Sequence, residues 1–204
     1  AYPTAFYMAF APPRVKLVAM FLVVLPFWTN FLVRMYSFIT ILGNDGVVNT
    51  LLLNLGLIHE PLRLIHNRFA VYVGLVYCNL PYMILPIFAA LDRMNISLLE
   101  ASMDLGAGPT RTFWKITLPY SLPGVVAGVV FVFIPTLGNF VVPEILGGAS
   151  DVTIGNVINR QFLASRNWPF GSALSVALVF GLMAVISLYI RRYDPMGRKQ
   201  LAAG

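Results

Sequence analysis

Charge is scarce in this sequence. Of 204 residues only 11% are Asp, Glu, Lys or Arg, 58% are hydrophobic, and mean hydropathy is +0.78. So few charges cannot cover a soluble globule of this size, and the chain reads as an integral membrane protein. Cysteine is nearly absent as well. Cys78 stands alone, which excludes an intrachain disulfide, and nothing beside it in the sequence suggests an activated thiolate. The two histidines, His59 and His66, are separated by Pro61 and make no recognised ligand spacing, so no metal site is expected. No G-x-x-x-x-G-K-[ST] phosphate loop occurs, so any nucleotide chemistry must reside on another polypeptide. No Ser or Cys is placed with a base and an orienting acid, so the chain is read as non-enzymatic, with no catalytic residues. Basic stripes interleaved with stacking aromatics are missing too, which argues against nucleic acid as a partner.

Long uncharged runs are what the chain does contain. Residues 17–33, 69–91, 116–143 and 171–190 each lack Asp, Glu, Lys and Arg, and a membrane span needs roughly 20 apolar residues at about 1.5 Å rise each. Four helical spans are expected from them. A transmembrane barrel would need short alternating segments, which these continuous runs do not show. Residues 1–11, AYPTAFYMAFA, are apolar but about half a span in length. They read as the end of a fifth span, which makes about five in this fragment and six or so in a full chain.

Basic residues set the orientation. One side collects nine of them, Arg14, Lys16, Arg93, Arg111, Lys115, Arg191, Arg192, Arg198 and Lys199; the other collects five, Arg34, Arg63, Arg68, Arg160 and Arg166. The richer side belongs in the cytoplasm, so the net charge of +6 is a topology signal. This places the interval 97–119, SLLEASMDLGAGPTRTFWKITLP, in the cytoplasm between two spans.

That interval has the punctuation of a helix, a turn and a second helix. Ser97 with Glu100 three residues later is a capping-box pattern. Leu98, Ala101, Ser102 and Leu105 recur as one small-to-apolar stripe, with Glu100, Met103 and Asp104 off it. Gly106 is placed as a left-handed stop, and Gly108-Pro109 as the entry to a second helix over 110–118. The next span is expected to begin at Pro119 and to use Gly124 and Gly128, a GxxxG pair, for close helix approach.

The remaining segments carry weaker signals. A helix over 17–36 holds Pro26, Trp28, Asn30 and Arg34, with Pro26 as a kink that frees a carbonyl and Asn30 facing protein. Residues 43–46 form a turn, and 47–58 a piece too short to span. The third span, with Pro81 and Pro86 beside Tyr77 and Asn79, suits the interior of a bundle. Pro135, Gly138, Asn139, Pro143 and Glu144 punctuate the outer end of the fourth span and suggest unwound backbone lining a cavity or gate. Glu144, if paired or wet, can meet a cationic solute or be a solvated loop carboxylate. An outer loop over 151–168 is expected to be helical over 154–163.

At this point the central stretch resembles a known motif. Glu100-Ala101-Ser102, three residues, Gly106, nine residues, then Ile116-Thr117-Leu118-Pro119 matches the pattern E-A-A-x3-G-x9-I-x-L-P of the EAA loop in permease subunits of bacterial ABC importers, with Ser102 where Ala is usual. LPFWTNFLVRMYSFITILG, RFAVYVGLVYCNLPYMILPIFAAL, IPTLGNFVVPEILGG and IGNVINRQFLASRNWPFG also look like the spermidine/putrescine branch, so the resemblance runs from residue 1 to about 192.

The resemblance implies an all-α integral membrane protein with the type I ABC importer permease bundle. It implies one permease domain over 1–192 with its coupling loop at 92–119, and a cytoplasmic tail over 193–204. Glu100, Ala101, Ser102, Asp104 and Gly106 would couple to a cytoplasmic ABC ATPase dimer that holds the ATP and Mg, no cofactor being bound by this chain. A second permease subunit, an extracytoplasmic solute-binding protein and membrane lipid complete the implied surroundings in the bacterial inner membrane. Transport would proceed by alternating access. Trp28, Asn30, Tyr77, Asn139, Glu144 and Asp151 are the candidates for the solute pathway, the aromatics and carboxylates suiting a polyamine. Importers for iron, sulfate or phosphonate share the plan, and an ion-coupled secondary transporter is the other class; the absence of acids and bases from the four runs weighs against the latter.

Overall fold

The computed structural model describes residues 1–148 and 152–193, and every regular element among them is helical. The chain divides into two compact units, the first ending at Asp151 and the second beginning at Val152.

The first unit is built on one long helix. Residues Tyr2–Phe10 form α1, Pro13–Val24 α2, Phe31–Leu42 α3, Val47–Asn54 α4 and Arg68–Asp92 α5. Asn67 starts α5 by accepting the Ala70 N–H at 2.9 Å, and its 25 residues tolerate Pro81 and Pro86 in the interior. The buried positions Ala70, Val71, Gly74, Cys78, Asn79, Pro81, Ile84, Ile87, Phe88 and Leu91 recur at three and four residues, so one broad face is covered, as expected for an interior span. Helix α1 sets Ala5 and Met8 against Ile84, Ile87, Phe88 and Leu91. The Tyr2 and Ser121 hydroxyls are 2.8 Å apart.

The helix expected over 17–36 is broken. Helix α2 passes into a 3-10 turn, Leu25–Trp28, and Asn30 starts α3 by accepting the Leu32 N–H at 2.8 Å. Pro26 has no N–H to donate and its ring crowds the preceding turn, so the helix tightens and restarts. Asn30 is exposed rather than facing protein. Lys16 pairs with Asp92 at one end of α5, Phe27 packs edge-on to Tyr82 at 5.0 Å, and Phe38 packs edge-on to Tyr77 at 5.2 Å. The interrupted run from α2 through α3 therefore travels antiparallel to α5. Phe31–Asn54 is by composition apolar enough to cross a membrane, but these contacts assign the crossing to the run that begins in α2. On α2 itself Leu17, Val18, Phe21 and Leu22 are exposed and no residue is buried, a surface suited to lipid.

The turn at 43–46 leads to the short α4, held by Asn49. Fully buried, Asn49 donates to the carbonyls of Gly43 at 3.0 Å and Leu62 at 2.9 Å, and accepts the Leu62 N–H at 2.9 Å.

Helix α6 covers Ser97–Asp104 and α7 Pro109–Thr112. The expected break at Pro119 is not there. From α7 the chain runs through a π-helical turn, Phe113–Thr117, straight into α8, Leu118–Gly138, a continuous helix of 30 residues. The Leu118 N–H reaches the Phe113 carbonyl; widening the helix here relieves the clash that Pro119 would make with the turn before it. Helix α8 lies on α5 as the GxxxG pair predicts. A Cβ on Gly124 would stand 2.6 Å from the Ala90 Cβ and the Pro86 carbonyl oxygen, and one on Gly128 2.8 Å from the Met83 sulfur. Past Asn139, α9 (Val141–Leu146) rests on Gly74, where an added Cβ would be 2.6 Å from Leu146.

In the second unit α10 spans Ile154–Leu163 and α11 Trp168–Tyr193. Thr153 and Asn156 form a capping box at the start of α10. Gly171 faces the Phe162 ring, 3.1 Å from an added Cβ, and Trp168–Ser187 is long and apolar enough to cross a membrane.

Candidate functional site

The interval between α5 and α8 is a helix–turn–helix, as its punctuation predicts, but it is capped differently. Ile96 is already helical, and the Glu100 N–H donates to its carbonyl at 3.2 Å, so the donor that Ser97 would cap is taken. Asn95 does the capping instead, its side-chain oxygen accepting the Ser97 N–H at 3.1 Å. No capping box forms, and Glu100 is left on an exposed face. The helix end follows the sequence closely. Gly106 has φ of +76°, its N–H bonds the Met103 carbonyl at 2.8 Å, and the Ala107 N–H bonds the Ser102 carbonyl at 3.1 Å. These two bonds are a Schellman stop.

The apolar stripe expected on α6 is not a buried stripe. Of Leu98, Ala101, Ser102 and Leu105 only Ser102 is covered; Leu98 is 45% and Leu105 88% exposed. Ile96 and Met103 join them, with Glu100, Ala101 and Asp104 also exposed. An exposed apolar patch of this kind is a candidate contact surface. Ser102 turns inward and its hydroxyl lies 2.8 Å from that of Thr112 on α7. At the base, the Tyr120 hydroxyl donates to the Arg93 carbonyl at 3.0 Å, tying α8 to the end of α5.

The solute-pathway candidates lie on several elements of the first unit. Trp28 is 78% exposed and packs edge-on to Phe21. Asn30 caps α3, and Asn139 accepts the Val142 N–H at 3.1 Å at the start of α9. Glu144 is exposed on α9, and Asp151 lies outside the described residues. Tyr77 packs against Phe38, 5.9 Å from the Arg34 guanidinium. A cavity of 530 Å³ does open between α5 and α8, lined by Tyr72, Leu75, Asn79, Met83, Val132 and Thr136 among others. None of the candidates lines it.

Arg34, which the sequence marks as one of the five basic residues of the poorer side, closes the break. It reaches back across the break to the carbonyls of Pro26 at 2.5 Å and Thr29 at 3.1 Å, between the rings of Phe27 and Tyr77. A charge beside an apolar run is tolerated when backbone carbonyls and aromatic faces replace water. The signal was available: an arginine eight residues beyond a proline in an apolar run. Among the described residues no group of three His, Cys, Asp or Glu could hold a metal ion.

Comparison with known proteins connects this arrangement to a family. The family model of the binding-protein-dependent transport system inner membrane component matches residues 1–195. The spermidine/putrescine transport system permease protein PotB of Haemophilus influenzae is 44% identical over 198 residues, covering 97% of this chain and 69% of that protein. PotB of Escherichia coli is 43% identical over 187 residues, covering 91% of this chain and 68% of that protein. The chain thus spans about two thirds of the length of these relatives. A crystal structure of a bacterial ABC transporter involved in the import of the acidic polysaccharide alginate superposes with a TM-score of 0.72 at 17% identity, over 95% of this chain and 73% of that one. At that identity the likeness is one of fold.

Proposed function

Because the chain belongs to the family of binding-protein-dependent transport system inner membrane components, we propose that it is the multi-pass inner-membrane subunit of an ABC importer that carries a polyamine into the cytoplasm. The observation that carries the coupling half of this reading is α6. It is a short helix between two spans, exposing Leu98, Glu100, Met103, Asp104 and Leu105. That surface fits a cleft on a cytoplasmic ATPase: apolar side chains seat in it and the two carboxylates meet basic groups at its rim. Closure of an ATPase dimer then moves α6, and the continuous helix from α7 through α8 passes the motion to α5 across the Gly124 and Gly128 contact. The solute arrives from a binding protein on the outer face, and a second permease subunit forms the other half of the pathway. Alternation between outward and inward states follows from ATP binding to the partner and its hydrolysis there.

The solute class rests on the likeness to the two spermidine/putrescine permeases. Its test is uptake in cells lacking other polyamine routes, with spermidine, putrescine and unrelated solutes as competitors. Spermidine or putrescine should block labelled polyamine uptake and sulfate or iron should not; no competition by either polyamine refutes the solute assignment. Uptake that continues on an ion gradient without the ATPase refutes the importer class.

A further inference from the structure

The backbone between α6 and α7 is poorly suited to transmit force. Gly106 and Gly108 flank Ala107, an added Cβ at either glycine would meet nothing within 4 Å, and Leu105 is 88% exposed. A segment with so few neighbours bends easily, so a push on α6 is absorbed at the turn unless a contact outside the backbone ties the two helices. The buried polar contact that does so is Ser102 to Thr112, hydroxyl to hydroxyl at 2.8 Å, with the two residues 6% and 4% exposed. Thr112 ends α7, and from it the helix continues without a gap through the π-helical turn into the span.

We propose that the Ser102–Thr112 hydroxyl pair is the mechanical link that makes α6 and the span 109–138 move as one body. Both are positioning residues for the coupling of transport to ATP hydrolysis, and this rests on the coupling role proposed for α6. Alanine, which the E-A-A pattern has at position 102, cannot form this bond. The link lets a short helix on a glycine turn act on a span without a longer covalent connection.

The test uses the complete importer in proteoliposomes, with solute uptake measured per ATP hydrolysed. Ser102→Ala and Thr112→Val should each lower that ratio about fivefold, the size expected from one lost hydrogen bond. The double variant should be no worse than either single one, because both remove the same bond. Thr112→Ser, which keeps the hydroxyl, should match the unaltered protein. Co-purification of the ATPase with each variant should be unchanged, which separates a lost link from a misfolded loop. Wild-type ratios in both single variants, or losses that multiply in the double variant, overturn the link while leaving the coupling reading in place. Uptake by the unaltered protein without any ATP hydrolysis overturns both.

Discussion

The chain interrupts its helices at two places that invite comparison, the turn over 105–108 between α6 and α7 and the break over 25–30 along α5. The first is glycine-built and wet; its neighbours Leu98, Met103 and Leu105 are exposed, and a neutral hydroxyl pair ties it. The second is proline-built and lies within an apolar run; a guanidinium on Pro26 and Thr29 carbonyls closes it between Phe27 and Tyr77. Water explains the difference. Carbonyls within an apolar run need donors from the chain, and the Pro26 carbonyl takes the Thr29 N–H at 3.3 Å and the Thr29 hydroxyl at 2.7 Å as well as Arg34, whereas a turn in water can leave its surface open. The break over 25–30 is thus closed by a side chain of its own, while the turn over 105–108 leaves apolar side chains exposed.

Substitutions at the two places should separate these roles. Arg34→Ala removes a charged donor from two carbonyls, of which that of Pro26 keeps the Thr29 N–H and hydroxyl, and should cost about 2 kcal/mol, read as a lower unfolding temperature in detergent, with Arg34→Lys recovering part of the loss. An unchanged unfolding temperature would erase the contrast. Gly106→Ala meets no steric neighbour but must hold φ at +76°, a strain of about 1–2 kcal/mol; the loop should loosen and uptake per ATP fall while the protein still inserts. Glu100→Ala, on an exposed face, should change stability by only about 0.5 kcal/mol, yet transport should uncouple from ATP hydrolysis. Normal uptake from this variant would remove α6 from the coupling role. The smallest effect is expected from Glu144→Gln, which should shift the apparent polyamine affinity and leave ATPase assembly intact; identical competition curves would exclude Glu144 from the solute path.

The candidate site was legible where its signals are local. Gly106 as a left-handed stop and Pro109 as a first helical residue follow from their own backbone preferences, and both are found. The box of Ser97 and Glu100 does not form because Asn95 and an already helical Ile96 claim the same donors first. Competition of that kind is decided by dihedral angles that a residue pattern does not contain. Pro119 was read as a boundary, yet a π-helical turn absorbs it, which a long helix packed on a neighbour can accommodate.

What the residues determined by themselves was the membrane character of the protein, its helical class, the turn between α6 and α7 and, through the Lys and Arg bias, the orientation to be expected. Uncharged run length, the bias of Lys and Arg and the glycine punctuation depend on transfer energies and local sterics alone. Only the tertiary structure decided that Ser102 meets Thr112, that Arg34 closes the break at Pro26, and that Gly124 and Gly128 seat on Pro86, Ala90 and Met83. Those pairings depend on which helix faces come together, and packing of distant segments selects among side chains that local preference leaves equivalent.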